Sequence, residues 1–98
     1  MSQYDWAPIA GYGQRAQNAW PETVGALPVG IVVTCHVIAK MPFGVFVLID
    51  GHDDALGLME ITTIPRDADH PEVGMTLKAV VADHASHNFQ VRLRPVGD

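Results

Sequence analysis

The chain has 98 residues, enough for one domain whose core closes without metals or disulfides. Apolar residues make up 48% of it and charged ones 17%, which excludes a disordered chain, and no apolar run approaches the roughly 18 residues of a membrane span. Six basic residues against eleven acidic ones give a net charge of −5, which excludes holding a polyanion through a global positive field, so any such binding needs a local cluster.

The N-terminus lacks the basic patch and apolar segment of a secretory signal, and Asp5 stands where lysines would be expected. Together with a single cysteine, Cys35, this predicts a reducing, cytoplasmic setting. Residues 1–27 read as an extension. They hold both tryptophans, the punctuation of Pro8, Gly11, Gly13 and Pro21, and a helical turn or two from Gln14 to Trp20. Tyr4, Trp6, Tyr12 and Trp20 are costly to leave in water, so residues 4 to 24 are expected to lie across the rest of the fold as a cap, with Trp20 docked on it.

Strand signals follow in residues 28–95, and residues 96–98 form a tail. Val29 to Ile38 is rich in β-branched residues, Val45 to Ile49 is short and apolar, and Leu56 to Ile61 comes after the turn from Asp50 to Asp54. Ile64, Pro65 and the acidic stretch Asp67 to Glu72 carry no strand pattern. Gly74 precedes a fourth strand, Thr76 to Ala82, and a polar hairpin loop, Asp83 to Asn88, leads to a fifth, Gln90 to Arg94. Five short strands with a break between the third and fourth predict an all-β fold. The expected form is a five-stranded Greek-key barrel of the oligonucleotide- and oligosaccharide-binding type (OB-fold), with the N-terminal extension containing the helical turns. Closure removes the open edges that make isolated sheets sticky. The sequence contains no internal repeat or low-complexity segment.

The motif from Phe43 to Val47, FGVFV, sets two aromatics beside a glycine. A solvent-facing phenyl ring stacks on a nucleobase for roughly 1–3 kcal/mol with little regard to sequence. Alternation alone separates Phe43 from Phe46, so either one ring is in the core or a bulge at Gly44 turns both outward. On the fifth strand Gln90, Arg92 and Arg94 share one side, while Val91 and Leu93 fill the core. Lys40 and Lys78 join them if the barrel brings strands one, two and four together.

These pieces resemble the S1-type RNA-binding domain over about residues 28–95. In order they are Gly30, Phe43 to Val47, Gly57 to Thr62 (GLMEIT), Gly74 before Leu77 to Asp83, and Val91 to Leu93. The resemblance implies a face built from two aromatics, a histidine ending the third strand, an aspartate ending the fourth and basic residues on the fifth. Phe43 and Phe46 match the aromatics, Asp83 the aspartate and Arg92 one basic position. Glu60 stands at the histidine position, Gln90 at the first basic position and Cys35 where the family usually has glycine, and the loop from His84 to Phe89 is longer than the family's tight turn. A carboxylate repels phosphate where imidazole would donate to it.

His84 and His87 invite a metal, with Cys35, His36, His52 or His70 as further ligands. A stable zinc site wants four ligands in register and no second paired motif is present, so neither metal nor cofactor is expected. Asp53 and Asp54 read as turn residues and Cys35 as a core thiol. With no nucleophile–base pair or phosphate loop, the expectation is a non-catalytic protein. The expected function is weak, salt-dependent binding of RNA or other single-stranded nucleic acid. Phe43 and Phe46 would stack, Lys40, Arg92 and Arg94 would hold phosphates, and Asp83 would lie at the same face. The alternative is a protein-binding adaptor whose acidic loops, Asp50 to Asp54 and Asp67 to Glu72, meet a basic partner while the cap closes the aromatic face.

Overall fold

The computed structural model describes residues 7–64 and 71–96. Tyr4, Trp6 and the stretch from Pro65 to His70, with the start of the acidic connection, lie outside the described residues. After a short 3-10 turn, Ala7–Ile9, come two seven-residue helices, α1 (Tyr12–Asn18) and α2 (Trp20–Ala26). Five strands follow: β1 (Val32–Met41), β2 (Gly44–Ile49), β3 (His52–Glu60), β4 (Thr76–Ala85) and β5 (Gln90–Pro95). They close in the order β1-β2-β3-β5-β4, with β4 pairing back to β1. The β3–β5 pair is parallel and the other pairs are antiparallel. The expected Greek-key barrel is the fold observed.

Several boundaries differ from expectation: β3 begins at His52, inside the predicted turn, and ends at Glu60, β2 and β5 each gain one residue, and three further shifts have a local reason. The helical turn predicted from Gln14 to Trp20 breaks at Ala19, because Pro21 has no N–H to continue α1 but sits without penalty in the first turn of α2. β1 starts three residues late, since Pro28 and Gly30, the latter at φ +98°, form a turn closed by the Ile31 N–H donating to the Pro28 carbonyl at 3.2 Å. β4 runs on to Ala85 because its ladder with β5 continues past a bulge at Ala82, pairing Val81 with Leu93 and then Asp83 with Arg92.

Alternation builds the barrel interior from Cys35, Val37, Val45, Val47, Ile49, Ala55, Met59, Ala79, Val81, Val91 and Leu93. Gly57 shares this inward parity, and a Cβ there would stand 2.7 Å from Val47 Cγ2 and 2.8 Å from Leu93 Cδ1. Leu27, just past α2 and 1% exposed, completes the interior. A second cluster lies outside the barrel wall: Ala39, Met41, Phe46, Leu56 and Leu58 pack under Ala16 of α1, with Ile9, Tyr12 and Phe89 around them.

Helices this short do not persist alone in water, so the barrel must hold them. Arg15 Nε donates to Asp54 Oδ1 at 2.9 Å and its Nη2 to the Asp53 carbonyl at 3.2 Å, while its guanidinium lies 4.6 Å from the Tyr12 ring centre. Trp20 meets His84 and Phe89 edge-on, at 6.2 and 5.9 Å between ring centres. His84 Nε2 lies 2.7 Å from the Leu27 carbonyl, which can only accept, so Nε2 carries the proton. Among the described residues no helix is long and apolar enough to cross a membrane.

Gly44 sits at φ +153°, opposite Glu60 on β3 and Met41 on β1. A Cβ there would meet the Met59 carbonyl oxygen at 2.2 Å and Glu60 Cα at 2.9 Å, both backbone atoms with no room to give. Gly44→Ala is therefore expected to cost at least about 2 kcal/mol, read as a lower urea midpoint at unchanged slope. Burial pushes the Cys35 thiol from its ordinary 9.0 to about 11. Because the folded state disfavours the thiolate, stability holds below pH 9 and falls as pH rises toward 11, a loss that Cys35→Ala should remove from the alkaline stability profile. The folded protein should also leave Cys35 unreactive toward a disulfide reagent at neutral pH, and urea should expose it.

Candidate nucleic-acid interface

The outer face of β2, β3 and β5 places Phe46 beside Leu58 and Leu58 beside Arg92, with Gly44 beside Glu60 and Leu56 beside Gln90 in the adjoining rows. α1 covers the Leu56 and Ala39 side of this face. What remains is a shallow groove of about 390 Å³ lined by Phe43, Phe46, Leu58, Glu60, Asn88, Gln90 and Arg92. Phe43 occupies the two-residue turn between β1 and β2, and its carbonyl accepts the Ile61 N–H at 2.9 Å. The residue is 42% exposed, and its ring stands edge-on to Phe46, 5.9 Å between centres and 86° between planes.

Phe46 corrects the expectation of two solvent-facing rings. It is 3% exposed, packed in the outer cluster with Met41, Leu56 and Leu58. The bulge proposed at Gly44 does not occur, and β2 keeps strict alternation, so Phe46 faces outward into a covered surface. Phe43 escapes because it belongs to the turn.

The basic cluster also differs from expectation. Arg92 lies in the groove, where its Nη1 donates to the Glu60 carboxylate. That pairing cancels the charge of the groove's one described cation. Arg92 Nε and Gln90 Oε1 are buried there without a hydrogen-bond partner. Lys40 is drawn away to Glu72, with Nζ to Oε1 at 2.7 Å, and does not line the groove. The cause is a bulge in β1 between Val37 and Ala39, which moves Ala39 and Met41 onto the outer face and takes Lys40 off it. Lys78 and Arg94 lie on the outer side of β4 and β5 beyond the groove. Asp83 is exposed, accepts the His84 N–H at 2.8 Å, and lines a second groove of about 560 Å³ with His84, Ser86, His87, Thr63 and the same Glu60–Arg92 pair.

Leu58, Asn88 and Gln90 are lining residues that the sequence did not single out for contact. The signal for Leu58 was present, because Leu56 and Leu58 are apolar at outward positions of a strand whose inward positions are filled by Ala55, Gly57 and Met59. A strand apolar on both sides is covered on both sides.

No protein-family model matches the sequence, and no curated protein matches it significantly. Solved structures do match in shape. Over 70% of this chain and 55% of the other, the solution structure of GSP13 from Bacillus subtilis superposes at a TM-score of 0.59 with 24% identity. Mycoplasma genitalium RNase R in complex with ribose-methylated single-stranded RNA gives 0.69 and 18% over 83% of this chain and 15% of that one. A multidomain protein with nucleic-acid-binding domains from Streptococcus pneumoniae gives 0.63 and 17% over 70% and 23%. The barrel is an OB-fold. The chain spans 15% to 55% of the length of these three proteins.

In this OB barrel His84 and His87 line the same groove, but the other described histidines do not join them. His84 is committed to Leu27, His36 Nδ1 lies 2.9 Å from Thr76 Oγ1, and His70 is outside the described residues. Among the described residues no group of three or more His, Cys, Asp or Glu side chains could hold a metal ion.

The two phenylalanines should separate on substitution. Phe46→Ala empties a packed site and is expected to cost about 3–5 kcal/mol, whereas Phe43→Ala, at a half-open turn, should cost less than about 1 kcal/mol; paired urea titrations measure both.

Proposed function

We propose that this protein binds single-stranded nucleic acid, RNA in particular, without catalysis, through the groove between Phe43 and Arg92. The observation that carries the proposal is Phe43, 42% exposed at the rim of a groove whose polar edges are Glu60, Asn88, Gln90 and Arg92. A base stacked on Phe43 supplies roughly 1–3 kcal/mol, and the side-chain amides offer donors and acceptors to its edge. One partly exposed ring rather than two supports a contact of one base per groove. Weak binding, within about 10⁻⁴ to 10⁻⁶ M, is the natural scale. The RNA in the RNase R neighbour's complex gives the same direction.

Glu60 sets the electrostatics. A phosphate reaching Arg92 must displace a carboxylate already bound to it, so wild-type binding should draw little from counterion release. The alternative adaptor, using acidic loops against a basic partner, has less support. Asp54 is held by Arg15 and Glu72 by Lys40, which leaves Asp50 and Asp53 as the exposed acids of the first loop without an ion pair among the described residues.

Fluorescence titration of the full chain with a short oligouridylate tests this directly. The dependence of log K on log salt should be shallow, with a slope no steeper than about −1.5, and Glu60→Gln should tighten binding about tenfold and steepen the slope by about 0.7 as Arg92 gains a phosphate. Phe43→Ala should weaken binding about tenfold with the fold intact. Absence of binding by both the wild type and Glu60→Gln, or binding indifferent to Phe43→Ala, would reject the proposal.

A further inference from the structure

Among the described residues, the helices cover one side of the barrel and leave another uncovered. On β1, β4 and β5 the outward positions form rows in register: Val32 beside Val80 beside Arg94, and Thr34 beside Lys78, with the Val96 N–H donating to the Lys78 carbonyl at 3.3 Å. Val32 is 54% exposed and Val96 40%, while Val80 is half-buried between them. Val29 and Ile31, also exposed, extend the apolar strip along the segment entering β1.

The charges on this face are equally uneven. Five cations fall among the described residues, and Arg15, Lys40 and Arg92 are ion-paired with Asp54, Glu72 and Glu60. Lys78 and Arg94 are the two with no carboxylate partner among the described residues, and both stand on this face. In a chain of net charge −5, the positive charge left uncompensated among the described residues is thus gathered beside exposed valines.

We propose that this outer face of β1, β4 and β5, with Lys78 and Arg94 set among Val32, Val80 and Val96, docks an acidic protein segment carrying aliphatic side chains. Charge complementarity selects the carboxylates and the valines select the aliphatic groups. A second copy of the chain fits poorly, because two-fold pairing would set Lys78 and Arg94 against their own kind. Nucleic acid fits less well, because the one ring on this face among the described residues, His36, is tied to Thr76 Oγ1 at 2.9 Å and its other apolar groups are aliphatic. The closed barrel presents no free strand edge here, so the segment is held by side chains laid across the strands and not by strand addition.

A displayed random-peptide library, selected on the immobilised full chain and in parallel on the chain carrying Lys78→Glu and Arg94→Glu, tests the proposal. Both substitutions are on exposed positions, and a circular-dichroism melt checks that the fold is kept. Sequences combining Asp or Glu with Leu, Ile or Val should be enriched on the wild type and bind the charge-reversed chain at least about tenfold more weakly. Amide NMR shifts should map to Val32, Val80 and Val96 and leave Phe43 unmoved. No enrichment over the charge-reversed chain, shifts centred on Phe43, or displacement of the peptides by oligouridylate would overturn it. Because the readout is at a face separate from the Phe43 groove, failure here and failure of RNA binding are distinguishable.

Discussion

The structure depends on β2 and β3 being buried from both sides. Their inward residues close the barrel, and their outward residues, Phe46, Leu56 and Leu58, are sealed by Ala16, Tyr12 and Ile9. Each large apolar side chain so covered contributes about 1.5–3 kcal/mol relative to exposure, which outweighs what a seven-residue helix lacks on its own. The second layer also fixes what the surface can do. By taking Phe46 for packing it leaves Phe43 as the ring at the groove, and it moves the open part of the face toward β5.

Electrostatics divides the molecule in the same way. On the groove side Glu60 holds Arg92, so the chemistry there is that of a ring and neutral amides beside a compensated charge. On the adjoining face of β4 and β5, Lys78 and Arg94 have no carboxylate partner among the described residues and stand among aliphatic ones. A protein that is acidic overall therefore carries two kinds of surface, an aromatic one on β2, β3 and β5 and a cationic–aliphatic one on β1, β4 and β5, which meet along β5.

The barrel was legible in the sequence because strand alternation is a local signal and five such segments come with turn residues between them. Arg92 was legible for the same reason, its parity following from Val91 and Leu93. Lys40 was not, because a single extra residue in β1 near Ile38 reverses the parity of everything after it, and nothing in Val37 to Met41 announces the insertion. The burial of Phe46 could not be read from FGVFV itself. It was recorded instead in Leu56 and Leu58, fifty positions or fewer from the helix that covers them, as apolarity on the wrong side of a strand. Glu60 was seen as a departure at its own position, but its partner across the parallel β3–β5 pair could be named only once the strand order was known.

The tie between His84 and the Leu27 carbonyl joins residues 57 positions apart, and Arg15 reaches Asp54 across 39. The helices of the N-terminal segment are too short to persist unaided, so their order is borrowed from strands far along the chain, β3 through Asp54 and β4 through His84, and a change that loosens either strand releases them.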